Sequence, residues 1–459
     1  MKGSGGASAL RHAAKRQLDG YGDEQLHTLQ QNTFRYFWKE TNPDNGLIPD
    51  NTGAGDFPAS IAGVGFALGS YPVAVERAFV SRADAVQRTL ATLRFFWNAP
   101  QGPQRDATGH HGFFYHFLDM ETGRRAWASE LSTIDSSLLI VGALTAAAYF
   151  DRQTADEREV RNLADALYRR VDWRWAQNNG AAVSHGWKPN TGFLRYRWQG
   201  YNEALILYVL GLGSPTYALP EESYQAWTAT YRWKKLYGHE HLYGAPLFMH
   251  QLSHVWIDFR GIQDAFMRGH GIDYFENSRR ATYVNQQYAI RNPKNFRDYG
   301  RYAWGITASN GPGPSTRRMR GVTRRFLGYV ARGVPHGPDD GTLAPWAVAA
   351  SLPFAPEIVL PTLAHCSRRY PHMENAYGLV CSFNPTFPDR ETGTSGWISR
   401  DHFALDQGPV ILMIENYRSG LIWRLMRSCP YVVTGLRRAG FTGGWLTNHT
   451  QSAPTLHSD

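Results

Sequence analysis

The amino-acid sequence predicts an all-α fold in which an inner ring of helices is wrapped by an outer ring, an (α/α) toroid with a few short strands. Two runs, LLIVGALTAAAYF at 138–150 and ALILYVLGLG at 204–213, are apolar on nearly every face, which is typical of helices buried on all sides. Others, such as ADEREVRNLADALYRRV at 155–171, are amphipathic and suit an outer layer with one face in solvent. A superhelical repeat array would also alternate helices, but the sequence shows no fixed period.

The individual helices are predicted from runs whose apolar residues recur at helical spacing. In the first run, at 23–40, Leu26, Leu29, Phe34 and Phe37 share one face. Further along, the stretch FFYHFLD is expected to form a small hairpin with the residues after it. The remaining helices are predicted at about 59–79, 82–97, 133–150, 156–176, 201–212, 220–237, 261–292, 343–351, 355–370, 408–418 and 420–428.

The chain shows no internal break in composition, so residues 21–459 are predicted to form one domain. Residues 1–20 lack the apolar segment of an intact signal peptide and are expected to form a flexible arm. No run of eighteen apolar residues occurs, so no membrane span is expected. The three cysteines have no CxxC spacing, which excludes a disulfide framework and a zinc knuckle but leaves one oxidised pair open.

Aromatic and basic residues indicate what kind of surface the protein presents. The 15 Trp and 24 Tyr residues join an apolar face to a polar edge, which suits stacking on sugar rings as well as packing between helices. The net charge of +9 is concentrated at 279–332, where twelve Lys and Arg accompany one acid. That run carries no motif of a nucleic-acid module. A solvated basic face is therefore favoured over nucleic-acid binding, and an anionic substituent on a glycan is a minor alternative.

Three acids, Asp135, Glu203 and Asp406, each lie where a polar or aromatic stretch becomes a long apolar helical run. If the inner helices start at the same place, these carboxylates meet in one cleft. Paired carboxylates in an aromatic-lined cleft are the groups that cleave glycosidic bonds. The sequence therefore predicts a carbohydrate enzyme with these three acids as candidate catalytic residues.

Each acid also has a purely structural interpretation. Ser132 and Asp135 resemble a capping box, Glu203 suits the positive end of a helix dipole, and Asp406 is placed to cap the helix that Pro409 helps to start. Because a general acid must stay protonated near neutral pH, burial has to outweigh the dipole if Glu203 is to serve as one.

Several residues near these acids are candidates for binding substrate. Glu130 shares the neighbourhood of Asp135, and Trp198, Tyr201 and Asn202 crowd the approach to Glu203. Trp304 and Phe383 are candidates for stacking on sugars, and Asn384, which follows Phe383, is a further candidate for binding substrate. Glu415, in the run after Asp406, is a further candidate, although it is also placed to pair with Arg418 three positions on.

The segment HQLSHVWIDFRGIQD brings His254, Asp258 and Arg260 close together. His250 and His254 are four residues apart, but the HExxH pattern is missing, so no metal is predicted. Hydrogen bonding to sugar hydroxyls is favoured, with a structural network between Asp258 and Arg260 as the alternative.

Six long stretches in order resemble the bacterial glucoamylase-like domain, glycoside hydrolase family 144. They span most of the chain between residues 30 and 446 and read FYHFLDMETGRRAWASELSTIDSSLL, GWKPNTGFLRYRWQGYNEALILYVLGLGSP, HVWIDFRGIQDAFMR, YAWGITASNGP, GTLAPWAVAASLPFAPEIVLPTL and LDQGPVILMIENYRSGLIWRLMR.

The resemblance implies an (α/α)6 barrel that hydrolyses β-1,2-glucan, either internally to sophoro-oligosaccharides or by releasing sophorose from a chain end. It implies inversion, no cofactor, Glu203 as the general acid, and Asp135 and Asp406 as acidic cleft residues, one of them assisting water. The chain departs from the family at Cys381, which is followed by a small residue and the Phe-Asn pair. The family usually has an acid at the position of Cys381. This departure removes a potential cleft carboxylate.

Two other functions stay open from the sequence. One is a β-1,2-glucan transglycosylase on the same fold, and the other is a non-catalytic β-glucan-binding protein. The expected partner is a glucan polysaccharide or oligosaccharide, and no nucleic acid is expected. We expect a monomer that works in the periplasm or is secreted.

Overall fold

The computed structural model describes residues 21–319, 321–389, 393 and 396–447. The predicted N-terminal arm, residues 1–20, lies outside these ranges. Within them the chain forms sixteen α-helices and short strands of two to five residues, which confirms the predicted all-α class. The helices are α1 (Asp23–Lys39), α2 (Ile61–Glu76), α3 (Arg82–Asn98), α4 (Thr133–Tyr149), α5 (Ala155–Arg170), α6 (Leu205–Gly213), α7 (Glu221–Thr228), α8 (Leu252–Trp256), α9 (Ala265–His270), α10 (Tyr274–Arg291), α11 (Pro345–Ala350), α12 (Pro356–Arg369), α13 (Ala404–Arg418), α14 (Leu421–Arg427), α15 (Pro430–Arg438) and α16 (Gly444–Thr447).

Six helices form the inner ring of the predicted (α/α)6 barrel. Helices α2, α4, α6, α8, α11 and α13 are buried along nearly their whole length. Contacts join α2 to α4, α4 to α6, α6 to α8 and α11 to α13, and α13 packs against α2 to close the ring. Between α8 and α11 the contact includes Gln251, whose Nε2 donates to the carbonyl of Ala347 at 2.6 Å and to Oγ of Ser351 at 2.8 Å. Helices α1, α3, α5, α7, α10 and α12 alternate with the inner ones along the chain and form the outer layer.

Two inner helices, α2 and α4, pack backbone against backbone. A Cβ atom on Gly142 would lie 2.1 Å from the carbonyl oxygen of Gly65, and one on Gly65 would lie 2.2 Å from that of Leu138. Such distances are closer than any side chain permits. The two glycines therefore set how closely α4 approaches α2.

Short antiparallel strands connect the helices. A five-stranded sheet has the order β2-β3-β5-β6-β7, and β5 runs directly into α4. The strands are β1 (Ala59–Ser60), β2 (Gly109–His110), β3 (Phe113–Tyr115), β4 (Phe117–Leu118), β5 (Leu131–Ser132), β6 (Gly186–Lys188), β7 (Gly192–Phe193), β8 (Trp233–Leu236), β9 (His239–Leu242), β10 (Ala308–Ser309), β11 (Ser315–Met319), β12 (Val322–Phe326), β13 (Val330–Ala331), β14 (Glu374–Asn375), β15 (Gly378–Leu379), β16 (Phe383–Asn384) and β17 (Trp397–Ile398).

Two of the predicted helices do not continue as single helices in the structure. The helix predicted at 220–237 ends at Thr228, and the chain then forms the hairpin β8–β9. That hairpin turns through Tyr237 and Gly238, both with positive φ, as a tight two-residue turn requires. The helix predicted at 261–292 is broken into α9 and α10, because Gly271 ends α9 in the left-handed region and Asp273 caps α10.

The basic run at 279–332 is only partly the solvated face that was predicted. Arg318 and Arg325 are exposed on the hairpin β11–β12. Arg332, in contrast, is fully buried, with its Nε 2.8 Å from Oδ1 of Asp340. None of the helices in the described ranges is both long and apolar enough for a membrane crossing.

Replacing Gly142 by alanine should loosen the contact between α2 and α4. We expect the free energy of unfolding to fall by about 1–3 kcal/mol, because the added methyl group meets backbone that cannot move aside. Denaturant unfolding measures the change. Gly269→Ala is the control, since no atom lies within 4 Å of a Cβ atom there. Equal stability of the Gly142 variant and the wild type would contradict the backbone contact.

Candidate active site

A cavity of about 640 Å³ lies where the inner helices begin. Every inner helix contributes to its lining from its first turn or from the residues just before it. The side chains concerned are Ser60, Asp135, Glu203, Leu252, Trp346 and Asp406. The three acids predicted from the sequence therefore converge on one cavity, together with three further carboxyl groups, those of Asp50, Glu130 and Asp401.

Asp135 lies in the first turn of α4 and takes part in the cap of that helix. The backbone N–H of Asp135 donates to Oγ of Ser132 at 3.2 Å, and that hydroxyl donates to Oδ2 of Asp135 at 2.5 Å. Ser132 therefore caps α4, but the pair is only half of the predicted capping box, because the Asp135 carboxylate bonds to the Ser132 hydroxyl, which is not the reciprocal bond to backbone. The side chain of Asp135 also lines the cavity.

Glu203 lies two residues before α6, rather than inside the helix as predicted, and its carbonyl oxygen accepts a hydrogen bond from Ser253 at 3.0 Å. Its Oε2 atom is buried without a hydrogen-bond partner in the described residues. Burial raises the pKa of the carboxyl to about 7, its own backbone N–H opposes this shift, and the charge of Asp135 adds to it. Burial thus outweighs any stabilisation by the helix N-terminus, as a general acid at this position requires.

Asp406 is the third residue of α13 and does not cap it, because the capping position is occupied by Phe403. Its Oδ2 atom is also buried without a hydrogen-bond partner in the part of the chain that is described. Burial raises the pKa of Asp406 well above its usual value, a hydrogen bond with Cys381 opposes the shift, and Asp50 adds to it. The residue that departs from the family, Cys381, therefore lies directly against this carboxyl group.

His116 is a cation placed among these acids. Its Nδ1 lies 3.0 Å from Oε1 of Glu130 and its Nε2 lies 3.6 Å from Oδ2 of Asp135. Burial opposes the charged form, but Asp135, Glu130 and Asp50 together outweigh it and raise the pKa of His116 to about 9. The hydrogen bond with His116 in turn lowers the pKa of Glu130 to about 2.

Aromatic rings form much of the remaining wall. Trp198 lines the cavity as predicted, stacks on His185 with 3.8 Å between ring centroids, and donates from Nε1 to Oγ1 of Thr133 at 2.9 Å. Trp127 and Tyr329 also line the cavity although more than half of each side chain is exposed. The site thus combines carboxyl groups with aromatic faces.

Two residues predicted around Glu203 stand behind the cavity wall. Tyr201 is buried and stacks on Tyr274. Asn202 shapes the turn before α6, because its Oδ1 accepts from the backbone N–H of Ala204 at 3.0 Å. Both support the position of Glu203 and neither lines the cavity.

Four other predicted substrate-binding residues are core residues, and the structure does not bring them to the cavity. His254 contacts Ser278 at 2.9 Å, and burial lowers the pKa of its imidazole to about 3. Trp304 donates to Thr362 at 2.9 Å. Phe383 packs against Tyr370. The side-chain amide of Asn384 forms hydrogen bonds with the neighbouring loops.

The other three predicted substrate-binding residues are engaged in ion pairs away from the cavity lining. Arg260 pairs with Asp258 at 2.7 Å, which is the structural alternative noted from the sequence. Glu415 pairs with Arg77 at 2.8 Å rather than with Arg418. Arg77 and Glu415 lie far apart in sequence, so residue spacing alone does not reveal their pairing.

Sequence reasoning missed many polar and aromatic residues of the cavity. Among them are Asp50, His116, Trp127, Tyr329 and Asp401. Asp401 could have been predicted from its position in the sequence. It precedes α13 by three residues, and the other acids likewise lie just before a helix or in its first turn. Asp50 comes from the loop before α2 and Tyr329 from a turn whose course follows only from the tertiary fold.

The described residues form no candidate metal site, because no three or more of their His, Cys, Asp or Glu side chains are grouped so that they could hold an ion. His250 instead contacts the carbonyl oxygen of Gly244 at 3.1 Å. The three cysteines are all free and buried.

Comparison with known proteins identifies relatives of this chain. A family model described as "Putative glucoamylase" matches residues 195–430. An exo β-1,2-glucooligosaccharide sophorohydrolase (non-reducing end) of Parabacteroides distasonis is 30% identical over 453 residues, which cover 91% of this chain and 58% of the relative. The chain thus spans little more than half the length of that curated relative.

Solved structures share the fold. A putative glucoamylase from Bacteroides uniformis superposes with a TM-score of 0.81 and 32% identity, covering 93% of this chain and 99% of the other. An endo-β-1,2-glucanase from Chitinophaga pinensis, in complex with sophorotriose and glucose, gives a TM-score of 0.81 at 28% identity, covering 92% and 99%. The (α/α)6 architecture is therefore that of its relatives.

Replacing Glu203 by glutamine should stabilise the protein at alkaline pH. The folded protein holds the Glu203 proton up to about pH 7, whereas the unfolded chain releases it near pH 4.5. Wild-type stability should therefore fall as the pH rises between these values, and the variant should escape this loss. At pH 8 we expect the variant to be more stable by roughly 2–3 kcal/mol, with no difference at pH 4. Thermal or urea unfolding across this range measures it.

The matched control is Glu222→Gln on the exposed face of α7. It should leave the pH dependence of stability unchanged. A Glu203 variant that tracks the wild type at every pH would show that the buried carboxyl group ionises normally.

Proposed function

The chain belongs to the glucoamylase-like family, and we propose that it is a glycoside hydrolase that cleaves β-1,2-glucan with inversion, releasing sophorose or longer sophoro-oligosaccharides. The observation that carries this proposal is the buried carboxyl group of Glu203, with a pKa of about 7, facing a cavity that also holds Asp135 and Asp406. Relatives that act on β-1,2-linked glucose chains support the choice of substrate.

In the proposed reaction, Glu203 donates its proton to the glycosidic oxygen as the bond to the leaving sugar breaks. A second carboxylate accepts a proton from the water that attacks the opposite face of the sugar ring. Asp135 and Asp406 are the two candidates for this base. Asp135 lies beside the cationic His116, with 3.6 Å between Oδ2 and Nε2, whereas burial favours the protonated form of Asp406.

Incubation with linear β-1,2-glucan tests the proposal directly. Hydrolysis should create new reducing ends, which a colorimetric assay counts. A transglycosylase would redistribute chain lengths while conserving the number of reducing ends. A protein that only binds glucan would leave the chains intact. Chromatography of the early products separates internal cleavage, which gives a ladder, from release of sophorose alone.

Glu203→Gln should lower kcat by about 10²–10⁴-fold, because the leaving oxygen loses its proton donor. Binding of glucan, measured by calorimetry, should persist because the shape of the side chain is retained. Glu222→Gln again serves as the control and should keep full activity. Undiminished turnover by the Glu203 variant would remove this residue as the acid.

The pH profile of kcat/KM should report the same carboxyl group. Because only protonated Glu203 donates, activity should decline tenfold per pH unit above about pH 7. Initial rates at low substrate concentration between pH 5 and pH 9 measure this limb. A rate that stays constant from pH 7 to pH 9 would contradict the assignment.

A further inference from the structure

We propose that Trp127 is a platform on which a glucosyl ring of the substrate stacks at the mouth of the cavity. This inference rests on the proposed function and adds a binding position beyond the acids. Its support comes from the placement, the exposure and the backbone conformation of this one residue.

Trp127 combines a cavity position with open exposure. It lines the same cavity as Glu203, yet the residue is 60% exposed to solvent. An exposed indole on the wall of a cavity presents apolar surface that a bound ligand can remove from water. The rings that touch it, Phe117 at 5.0 Å and Phe57 at 6.1 Å, meet it tilted or edge-on rather than face to face. A flat partner therefore has room to stack on the indole.

The backbone at this position is held in a conformation that side chains rarely adopt. Trp127 and Ala128 have φ angles of 52° and 49°, two consecutive left-handed residues that are not glycine. Such strain persists only where the surroundings enforce it, and it concentrates at ligand-binding sites. Here Arg125 enforces it by donating to the carbonyl oxygens of Ser129 at 2.6 Å and Ala128 at 2.7 Å.

The platform is linked to the catalytic groups through adjoining rings. Phe117 contacts Trp127 on one side and stacks on His116 on the other, with 4.0 Å between centroids and an angle of 12°. His116 contacts Glu130 and Asp135. A sugar on Trp127 would therefore lie along the same wall as the reacting sugar and belong to a longer chain. A pyranose ring suits an indole, because its C–H faces are apolar and its edge carries hydroxyl groups.

The test compares Trp127→Ala, Trp127→Phe and the control Trp97→Ala on two substrates. Trp97 is also exposed, at 41%, but does not line the cavity. For long linear β-1,2-glucan we expect Trp127→Ala to raise KM roughly tenfold, as expected for a lost stacking contact, while kcat changes less than twofold. Trp127→Phe should recover part of the loss. On sophorotriose the effect should be smaller, and Trp97→Ala should match the wild type on both substrates.

Two further measurements separate stacking from a structural role. The midpoint of thermal unfolding should be the same in all three variants and the wild type. In the Glu203→Gln background, long glucan should quench tryptophan fluorescence, and the additional Trp127→Ala change should abolish most of that quenching. A lower unfolding midpoint with equal losses on both substrates would overturn the platform.

The outcomes distinguish this inference from the proposed function. Turnover of β-1,2-glucan with an unchanged KM in Trp127→Ala overturns the platform alone. If the wild type does not cleave β-1,2-glucan but binds a β-1,3-, β-1,4- or α-1,4-glucan through Trp127, the proposed function fails and the platform stands. Failure to bind any of these glucans overturns both.

Discussion

Six inner helices begin at one cavity, and the rest of the site depends on this convergence. The positive ends of six helix dipoles meet there, and each helix brings a side chain from its first turn or from the residues before it. Convergence requires a narrow ring. The contact between Gly65 and Gly142 provides this closeness for α2 and α4, since any side chain at either position would push the helices apart.

Burial divides the gathered carboxyl groups into two kinds. Glu203 and Asp406 each have one oxygen buried without a partner in the described residues, so removal from water favours their protonated forms. Glu130 instead accepts a hydrogen bond from the cation of His116, which favours its ionised form. One cavity thus holds protonated carboxyl groups and an ionised carboxylate at the same pH. The helix dipoles alone would favour ionisation of all of them, so the division arises from local contacts rather than from the fold.

The sequence predicted the ring because its signal is local. A run that is apolar on every face, such as the one in α4, can only be buried, and an acid at its start can only face the end of the ring. The substrate-binding predictions were less successful because they relied on proximity in sequence. His254 lies within the inner helix α8 and is buried in the core, and Asn384 forms hydrogen bonds with the loops around it, although both lie in stretches rich in polar residues. His116 and Asp50 reach the cavity from loops whose paths depend on tertiary packing. No period or spacing in the sequence specifies such paths.

The buried guanidinium of Arg332 has a consequence for the long segment between α10 and α11. It pairs with Asp340 and also donates to the carbonyl oxygens of Ser309, Leu327 and Gly328. The side chain of Arg332 therefore joins the two ends of the segment that carries the hairpin β11–β12. Asn310 and Tyr329, which lie beside these ends, face the cavity. The hairpin itself projects beyond the joined ends. A change in the length or charge of this hairpin would therefore leave the cavity wall in place.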